Sequence, residues 1–273
     1  MTDALAFALD TARKAGQLLC EFYHQRHAVQ RKSSDIDLVT EADLASERLI
    51  VDAIRTHFPE HKILSEEGLG DAATGLSGQS LQAAAAEIDW LWLVDPLDGT
   101  VNYAHGYGIW GVSLALAERG RVVLSVTRDP LREEVFWAER GRGAWQDGRR
   151  LHVSDTSRLG DALVATGFAY QRATLEDNNL AEFGAVMPRV QGVRRAGAAV
   201  LDLAHVADRR LDAYWEMHLN PWDWAAGWLL VKEAGGVVTD MQGEPWLLGT
   251  GDIVASNGHI HGRLLAVLRE ARG

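Results

Sequence analysis

The N-terminal part of the chain has the apolar spacing of two amphipathic helices. From Asp3 to Tyr23 the apolar residues recur every three or four positions, which predicts one long helix. The same spacing returns after Thr40 and stops before Pro59, so a second helix is predicted between them. Residues 70–87 are rich in Gly, Ala, Ser and Gln, and we expect them to form a mobile loop.

Strand patterns dominate the middle of the chain. The run from Trp90 to Val94 is continuously apolar, which is typical of a buried strand. Beyond it, short apolar runs alternate with polar residues and are joined by turn residues, which predicts an antiparallel meander. Its strands are expected at 112–116, 122–126, 135–138 and 143–145.

Strands and helices alternate in the C-terminal part. Strands are predicted at 163–167, 211–217 and 253–257, and helices at 177–190, 200–206, 221–235 and around 264–268. With 273 residues, 47% of them hydrophobic, the chain can bury a large core. We therefore expect a single α/β domain over 1–273, with an antiparallel half over about 1–150 and a mixed half over about 151–273.

Charge and hydropathy argue against several functions. The chain has 38 acidic and 27 basic residues, a formal net charge of −11, and no basic segment suited to nucleic acid. No apolar stretch is long enough to cross a bilayer, and the N-terminal residues lack the basic region of a signal peptide. A cytoplasmic protein with neither a nucleic-acid nor a membrane partner is the expectation.

The buried strand after Trp90 runs directly into an unusual acidic turn, Asp95-Pro96-Leu97-Asp98-Gly99-Thr100. Pro96 restricts the backbone, and Gly99 permits angles that other residues avoid. Two carboxylates on such a turn suit a hard cation, and exposed amides after Gly99 would suit a phosphate. The alternative is a tight turn in which the Asp side chains only cap backbone groups.

Three further acids stand at predicted ends of helices or strands. Asp43 could form a capping box with Thr40, Glu66 could belong to a solvated surface pair, and Asp223 could be a helix N-cap. If these acids instead meet the acidic turn, their charge would need divalent cations. The sequence lacks the His and Cys patterns of zinc sites, so Mg²⁺ is the expected ion, acting through metal-activated water.

Five motifs in order resemble those of the inositol monophosphatase-like family and span nearly the whole chain. They are Lys32-Ser33-Ser34 with Asp37-Leu38-Val39-Thr40-Glu41-Ala42-Asp43, Ser65-Glu66-Glu67, Asp95-Pro96-Leu97-Asp98-Gly99-Thr100-Val101-Asn102-Tyr103, Arg195-Ala196-Gly197-Ala198-Ala199 and Trp222-Asp223-Trp224-Ala225-Ala226-Gly227. The chain departs from the usual family residues at Ser65, Leu97, Tyr103 and Ala198.

The resemblance implies a layered α-β-α-β-α sandwich with the site between its halves. It also implies two or three Mg²⁺ ions bound by Glu66, Asp95, the Leu97 carbonyl, Asp98 and Asp223. Glu66 and Thr100 would position the attacking water, Asp43 would support them, and Lys32 is counted with these catalytic residues. Implied substrate contacts are Asp98, Gly99, Thr100, Gly197, Ala198, Glu216 and Asp223, of which Gly99 and Thr100 would hold phosphate and Glu216 would accept hydrogen bonds from sugar-alcohol hydroxyls.

The leading functional hypothesis is a Mg²⁺-dependent phosphomonoesterase that hydrolyses inositol monophosphate. The same metal chemistry would serve histidinol phosphate, fructose 1,6-bisphosphate or a nucleotide 3′-phosphate, and the metal motifs alone do not separate these substrates. A hypothesis of another class is a partner-binding scaffold. Family resemblance further implies a homodimer and inhibition by lithium.

Overall fold

A computed structural model of the chain describes residues 2–23, 29–31, 38–71, 78–245 and 247–272. Its α-helices are α1 (Asp3–Tyr23), α2 (Glu41–His57), α3 (Gly78–Ala86), α4 (Thr100–Ala104), α5 (Leu180–Val186), α6 (Ala199–Ala207), α7 (Pro221–Glu233) and α8 (His261–Glu270), with 3₁₀ turns at Leu159–Asp161 and Met187–Arg189. The predicted helix over Asp3–Tyr23 is confirmed at both ends.

The strands form three sheets. They are β1 (Val29–Arg31), β2 (Leu38–Thr40), β3 (Lys62–Ser65), β4 (Trp90–Asp98), β5 (Gly111–Glu118), β6 (Arg121–Asp129), β7 (Glu134–Glu139), β8 (Gly143–Gln146), β9 (Arg149–Arg150), β10 (Leu163–Thr166), β11 (Gly192–Arg194), β12 (Ala213–Glu216), β13 (Val237–Thr239) and β14 (Ile253–Ser256). Strands β1 and β2 pair with each other as an antiparallel ribbon.

The seven-stranded sheet is a meander in the order β3-β4-β5-β6-β7-β8-β9. Only β3 and β4 run parallel, and each later neighbour is antiparallel. The five-stranded sheet has the order β11-β10-β12-β14-β13 and is mixed, with β10 parallel to both of its neighbours. The seven-stranded sheet thus contains the meander expected in the first half, with one parallel pair added at its edge.

Three buried cores hold five layers together. Helices α1 and α2 cover the outer face of the seven-stranded sheet, where Leu5 and Ile50 are buried with Trp92. Helices α6 and α7 fill the space between the two large sheets. Helices α5 and α8 cover the far face of the five-stranded sheet. The order helix, sheet, helix, sheet, helix confirms the predicted layered sandwich.

Two local predictions were wrong. The loop predicted over 70–87 contains α3, because Leu81 and Ala85 are buried against the seven-stranded sheet and Ala-rich sequence favours helix. The helix predicted over 177–190 is shorter, because Asn179 adopts a left-handed backbone and binds β10 and β12 through its side chain. Residues 72–77 lie outside the described residues.

Gly227 on α7 allows that helix to contact α6 closely. A Cβ there would overlap the side chain of Leu203. We expect Gly227→Ala to lower the free energy of unfolding by about 1–3 kcal/mol, since overpacking forces backbone shifts. Urea denaturation measures this change. The control is Gly184→Ala in α5, where the new methyl group meets open space. This substitution should raise the free energy of unfolding by about 0.5–1 kcal/mol, because Ala favours helix over Gly. If the two substitutions changed the free energy of unfolding equally, close packing at Gly227 would be contradicted.

Candidate active site

The acidic turn begins as an irregular end of β4. Asp95 pairs with Ser113 of β5, and Asp98 pairs with Gly111. Between these two pairs β4 therefore contains one residue more than β5, which is a β-bulge. This bulge follows from Pro96, which has no N–H to donate to the neighbouring strand. Asp95 is buried, and its Oδ1 accepts a 3.1 Å hydrogen bond from the Leu97 N–H. The bulge therefore fixes both carboxylates at one edge of the sheet.

Gly99 turns the chain from β4 into α4. Its φ of 85° is left-handed, and a Cβ at this position would lie 2.9 Å from the carbonyl oxygen of Ile109. Thr100 follows, and its hydroxyl donates a 3.0 Å hydrogen bond to the Leu97 carbonyl and lies 3.5 Å from Asp43 Oδ2. The turn consequently requires glycine and presents the Thr100 hydroxyl toward the acids.

The first half of the chain places three more acids near the acidic turn. Because β3 is parallel to β4, its C-terminal end lies beside the acidic turn, and the Glu66 N–H donates to the Val94 carbonyl at 3.3 Å. Asp43 lies in the first turn of α2 and is fully buried. Carboxylate oxygens of Asp43, Glu66 and Glu67 lie within 4.8 Å of one another.

The second half of the chain supplies the opposite side. Asp223 lies in the first turn of α7, where its Oδ2 accepts a 2.7 Å hydrogen bond from the Asn220 N–H. Asp98 reaches across to α6 and accepts a 2.8 Å hydrogen bond from the Val200 N–H. The N-cap of α7 is Asn220 and not Asp223, so the alternative expected for Asp223 is wrong in that form; Asp223 is the third helical residue of a capping box, and it also lines the cavity.

A cavity of about 730 Å³ lies between the two halves. Glu66, Asp95, Asp98 and Asp223 all line it, together with Leu97, Gly99 and Thr100. Gly197, Ala198 and Glu216 line its other side. Among the predicted site residues, Asp43 lies behind Thr100 rather than in the cavity wall, and Lys32 falls outside the described residues.

Burial, and then the crowding of the carboxylates, raises their pKa values. Burial raises the pKa of Asp95 well above its usual range, and the charges of Glu66 and Asp98 add to the effect. Burial likewise raises the pKa of Asp98 to about 8, although the Val200 N–H opposes the shift. The pKa of Asp223 is raised by burial and then by Glu66. The cavity thus concentrates negative charge that a divalent cation would neutralise.

Glu216 is a buried acid in the wall of the cavity. It ends β12, is buried, and accepts a short hydrogen bond from the Tyr214 hydroxyl. Burial raises the pKa of Glu216 to about 7. Gly167 faces it, and a Cβ on Gly167 would overlap the Glu216 carboxylate. The sequence analysis missed Gly167, because its approach to Glu216 depends on the pairing of β10 with β12. It also missed Tyr214, although Tyr214 and Glu216 are two residues apart on one strand and such residues share a face.

Asn102 connects two of the sequence motifs. Its side-chain amide donates to the carbonyls of Ile109 at 2.7 Å and Ala196 at 2.9 Å. This contact fixes the loop before α6 against α4, and therefore places Gly197 beside Gly99. The motif that contains Asn102 was recognised in the sequence, but this linking role required the structure.

The layered fold and its carboxylate-lined cavity define a metal-dependent phosphomonoesterase. The model of the inositol monophosphatase family matches residues 1–272, and the chain belongs to that family. This confirms the resemblance found in the sequence. In the part of the chain that the structure describes, no helix is both long enough and apolar enough to span a membrane.

Relatives with two kinds of name are similar to the chain. Nus factor SuhB of Pseudomonas aeruginosa is 42% identical over 272 residues, which cover 98% of this chain and 97% of the relative. Inositol-1-monophosphatase of Synechocystis is 40% identical over 264 residues, with 97% and 88% covered. The solved inositol monophosphatase of Anabaena is 41% identical, covers 97% of this chain and 95% of its own, and has a TM-score of 0.84.

Proposed function

We propose that the chain hydrolyses inositol monophosphate to inositol and phosphate with Mg²⁺ as its metal. The observation that supports this most is the convergence of Glu66, Asp95, Asp98 and Asp223 on one cavity. These acids come from the residue after β3, from β4 and from α7, and no single element could bring them together. The Synechocystis relative, named inositol-1-monophosphatase, supports the choice of substrate.

The donor set fits a hard divalent cation. It consists of carboxylate oxygens and the Leu97 carbonyl, which are the ligands that Mg²⁺ prefers. Burial, with the neighbouring acids adding to it, raises the pKa values of Asp95 and Asp98, and a bound cation would relieve the cost of ionising these side chains. Two or three ions held by Glu66, Asp95, Leu97, Asp98 and Asp223 are the proposal.

Bound divalent cations act as Lewis acids that activate water and stabilise charge on the phosphate and leaving oxygens. In this chain Glu66 and the Thr100 hydroxyl orient the attacking water. Asp43 holds that hydroxyl in place from behind, and Lys32 belongs to the same catalytic group. Gly99 lets the phosphate approach the backbone, and the amides of Gly99 and Thr100 donate to its oxygens.

The alcohol part of the substrate lies toward Glu216. Its carboxylate is an acceptor in the cavity wall, which Gly197 and Ala198 also line. Hydroxyl groups of inositol would donate to Glu216, while Asp98 and Asp223 contact substrate near the phosphate. Histidinol phosphate, fructose 1,6-bisphosphate and nucleotide 3′-phosphates remain the alternative substrates of the same chemistry.

A substrate panel tests the proposal. We expect kcat/KM for inositol 1-phosphate to exceed that for the other phosphomonoesters, and Glu216→Gln to reduce this preference by about tenfold, since one charge-assisted hydrogen bond is lost. Phosphate release with Mg²⁺ present is the measurement. A clear preference for histidinol phosphate would replace the proposed substrate, and no turnover of any phosphomonoester would refute the proposed function.

A second candidate function is partner binding, which the name of the Pseudomonas relative as a Nus factor favours. We propose that binding would use surface outside the cavity, so that Asp98→Asn would still retain partners in an affinity purification from native lysate. Loss of the same partners with that variant would tie binding to the catalytic site instead.

From the family resemblance we also propose that the protein is a homodimer, that it is cytoplasmic and that lithium inhibits it. The dimer predicts twice the mass of the 273-residue chain in light scattering after size-exclusion chromatography.

A further inference from the structure

Asp202 is a buried carboxylate in the cavity wall that the proposed mechanism does not use. It lies on α6, is 3% exposed, and lines the cavity with Glu216 and Asp98. Its side chain accepts no hydrogen bond from the residues that the structure describes, whereas Glu216 has Tyr214 as a donor. A buried carboxylate that lines a cavity without a donor is costly, and a ligand that brings one would relieve that cost.

We propose that Asp202 is a specificity-determining residue that accepts hydrogen bonds from the hydroxyl groups of a polyol phosphomonoester. This inference rests on the proposed phosphatase function and adds a second acceptor beside Glu216. Burial raises the pKa of Asp202 well above its usual range, and the nearby charges of Glu216 and Asp98 add to the effect.

Helix α6 positions Asp202 independently of substrate. The helix begins after Ala198, and the Asp202 N–H donates to the Ala198 carbonyl at 3.0 Å. Two residues earlier, the Val200 N–H holds Asp98 at 2.8 Å. The same helical turn therefore connects the acidic turn, where the phosphate would bind, with the carboxylate that would contact the alcohol.

The donors and acceptors around Asp202 favour hydroxyl groups over an ammonium group. Arg195 also lines the cavity, and its positive charge acts on both Asp202 and Glu216. A hydroxyl can donate to a carboxylate and accept from a guanidinium at the same time. An ammonium can only donate, so it could not also accept from the Arg195 guanidinium. The combined surface consequently suits a polyol better than an amino alcohol.

Specificity ratios for Asp202→Asn test this inference. The ratio compares kcat/KM for inositol 1-phosphate with kcat/KM for phenyl phosphate, which has no hydroxyl group on its alcohol part. We expect the ratio to fall about tenfold or more in the variant, because Asn offers substrate hydroxyls one acceptor oxygen where the carboxyl group offers two. Phosphoethanolamine is the third substrate, and its kcat/KM should fall less than that for inositol 1-phosphate.

The control is Asp208→Asn, which changes the C-cap of the same helix outside the cavity wall. Its ratio should equal that of the wild type. Thermal unfolding checks the fold, and Asp202→Ser provides a second variant if Asp202→Asn does not fold. An unchanged ratio, or a selective loss on phosphoethanolamine, would overturn the role given to Asp202. Wild-type protein inactive on every phosphomonoester would refute the proposed function and this inference together.

Discussion

Replacing Asp98 by Asn is expected to lower kcat by about 10²–10³-fold or more, while the protein remains folded. Asp98 is the acid that touches both halves of the site, because it ends β4 and accepts a hydrogen bond from the Val200 N–H of α6. The Asn carbonyl can keep that hydrogen bond but carries no charge for a cation. Inorganic phosphate release at saturating substrate measures the loss.

The matched control for this variant is Asp89→Asn. Asp89 lies just before the other end of β4 and is mostly exposed beside Arg119. It should keep wild-type kcat and a wild-type melting temperature. Metal-free Asp98→Asn should melt at or above the wild-type temperature at pH 8, since a buried carboxylate with a raised pKa is replaced by a neutral group. Normal kcat in Asp98→Asn would show that the metal assignment is wrong.

Removal of divalent cations is expected to abolish turnover and lower thermal stability. At 100 times its dissociation constant a ligand stabilises the folded state by about 2.7 kcal/mol, which corresponds to roughly 5 °C for a chain of this size. Dialysis against EDTA followed by Mg²⁺ titration measures both changes. Turnover that persists in EDTA would contradict metal dependence.

The stabilisation by Mg²⁺ should grow between pH 6 and pH 8. The pKa of Asp98 is raised to about 8 by burial, so at pH 6 the metal-free site retains protons that a cation must displace. A raised carboxyl pKa also means that the metal-free fold loses stability as pH rises from about 4 to 8, because the unfolded chain ionises first. Thermal melts with and without Mg²⁺ at both pH values measure this. A constant or shrinking increment would contradict the assignment.

Local periodicity explains which parts of the fold were predictable. Helix α1 and the meander follow from repeats of apolar residues that continue over many positions. Helix α3 was missed because Leu81 is the only large apolar residue among small and polar ones, and its burial depends on the sheet beneath it. The three-residue strands β11 and β13 are too short to show a period.

The candidate site was predictable where residues form compact motifs. Asp95 and Asp98 are three positions apart on one turn, so their proximity could be inferred from sequence alone. Asp202 was missed because a single acid within an apolar helix has no local signal of function. Its place beside Glu216 arises only when α6 is laid against the mixed sheet.

The most direct test of the account is the location of divalent cations in crystals soaked with Mn²⁺. We predict anomalous density in the cavity, with ions about 2.1 Å from carboxylate oxygens of Glu66, Asp95, Asp98 and Asp223. The same soak of Asp98→Asn crystals should give weaker or no density. Strong density confined to surface sites, with none between these four acids, would contradict the account.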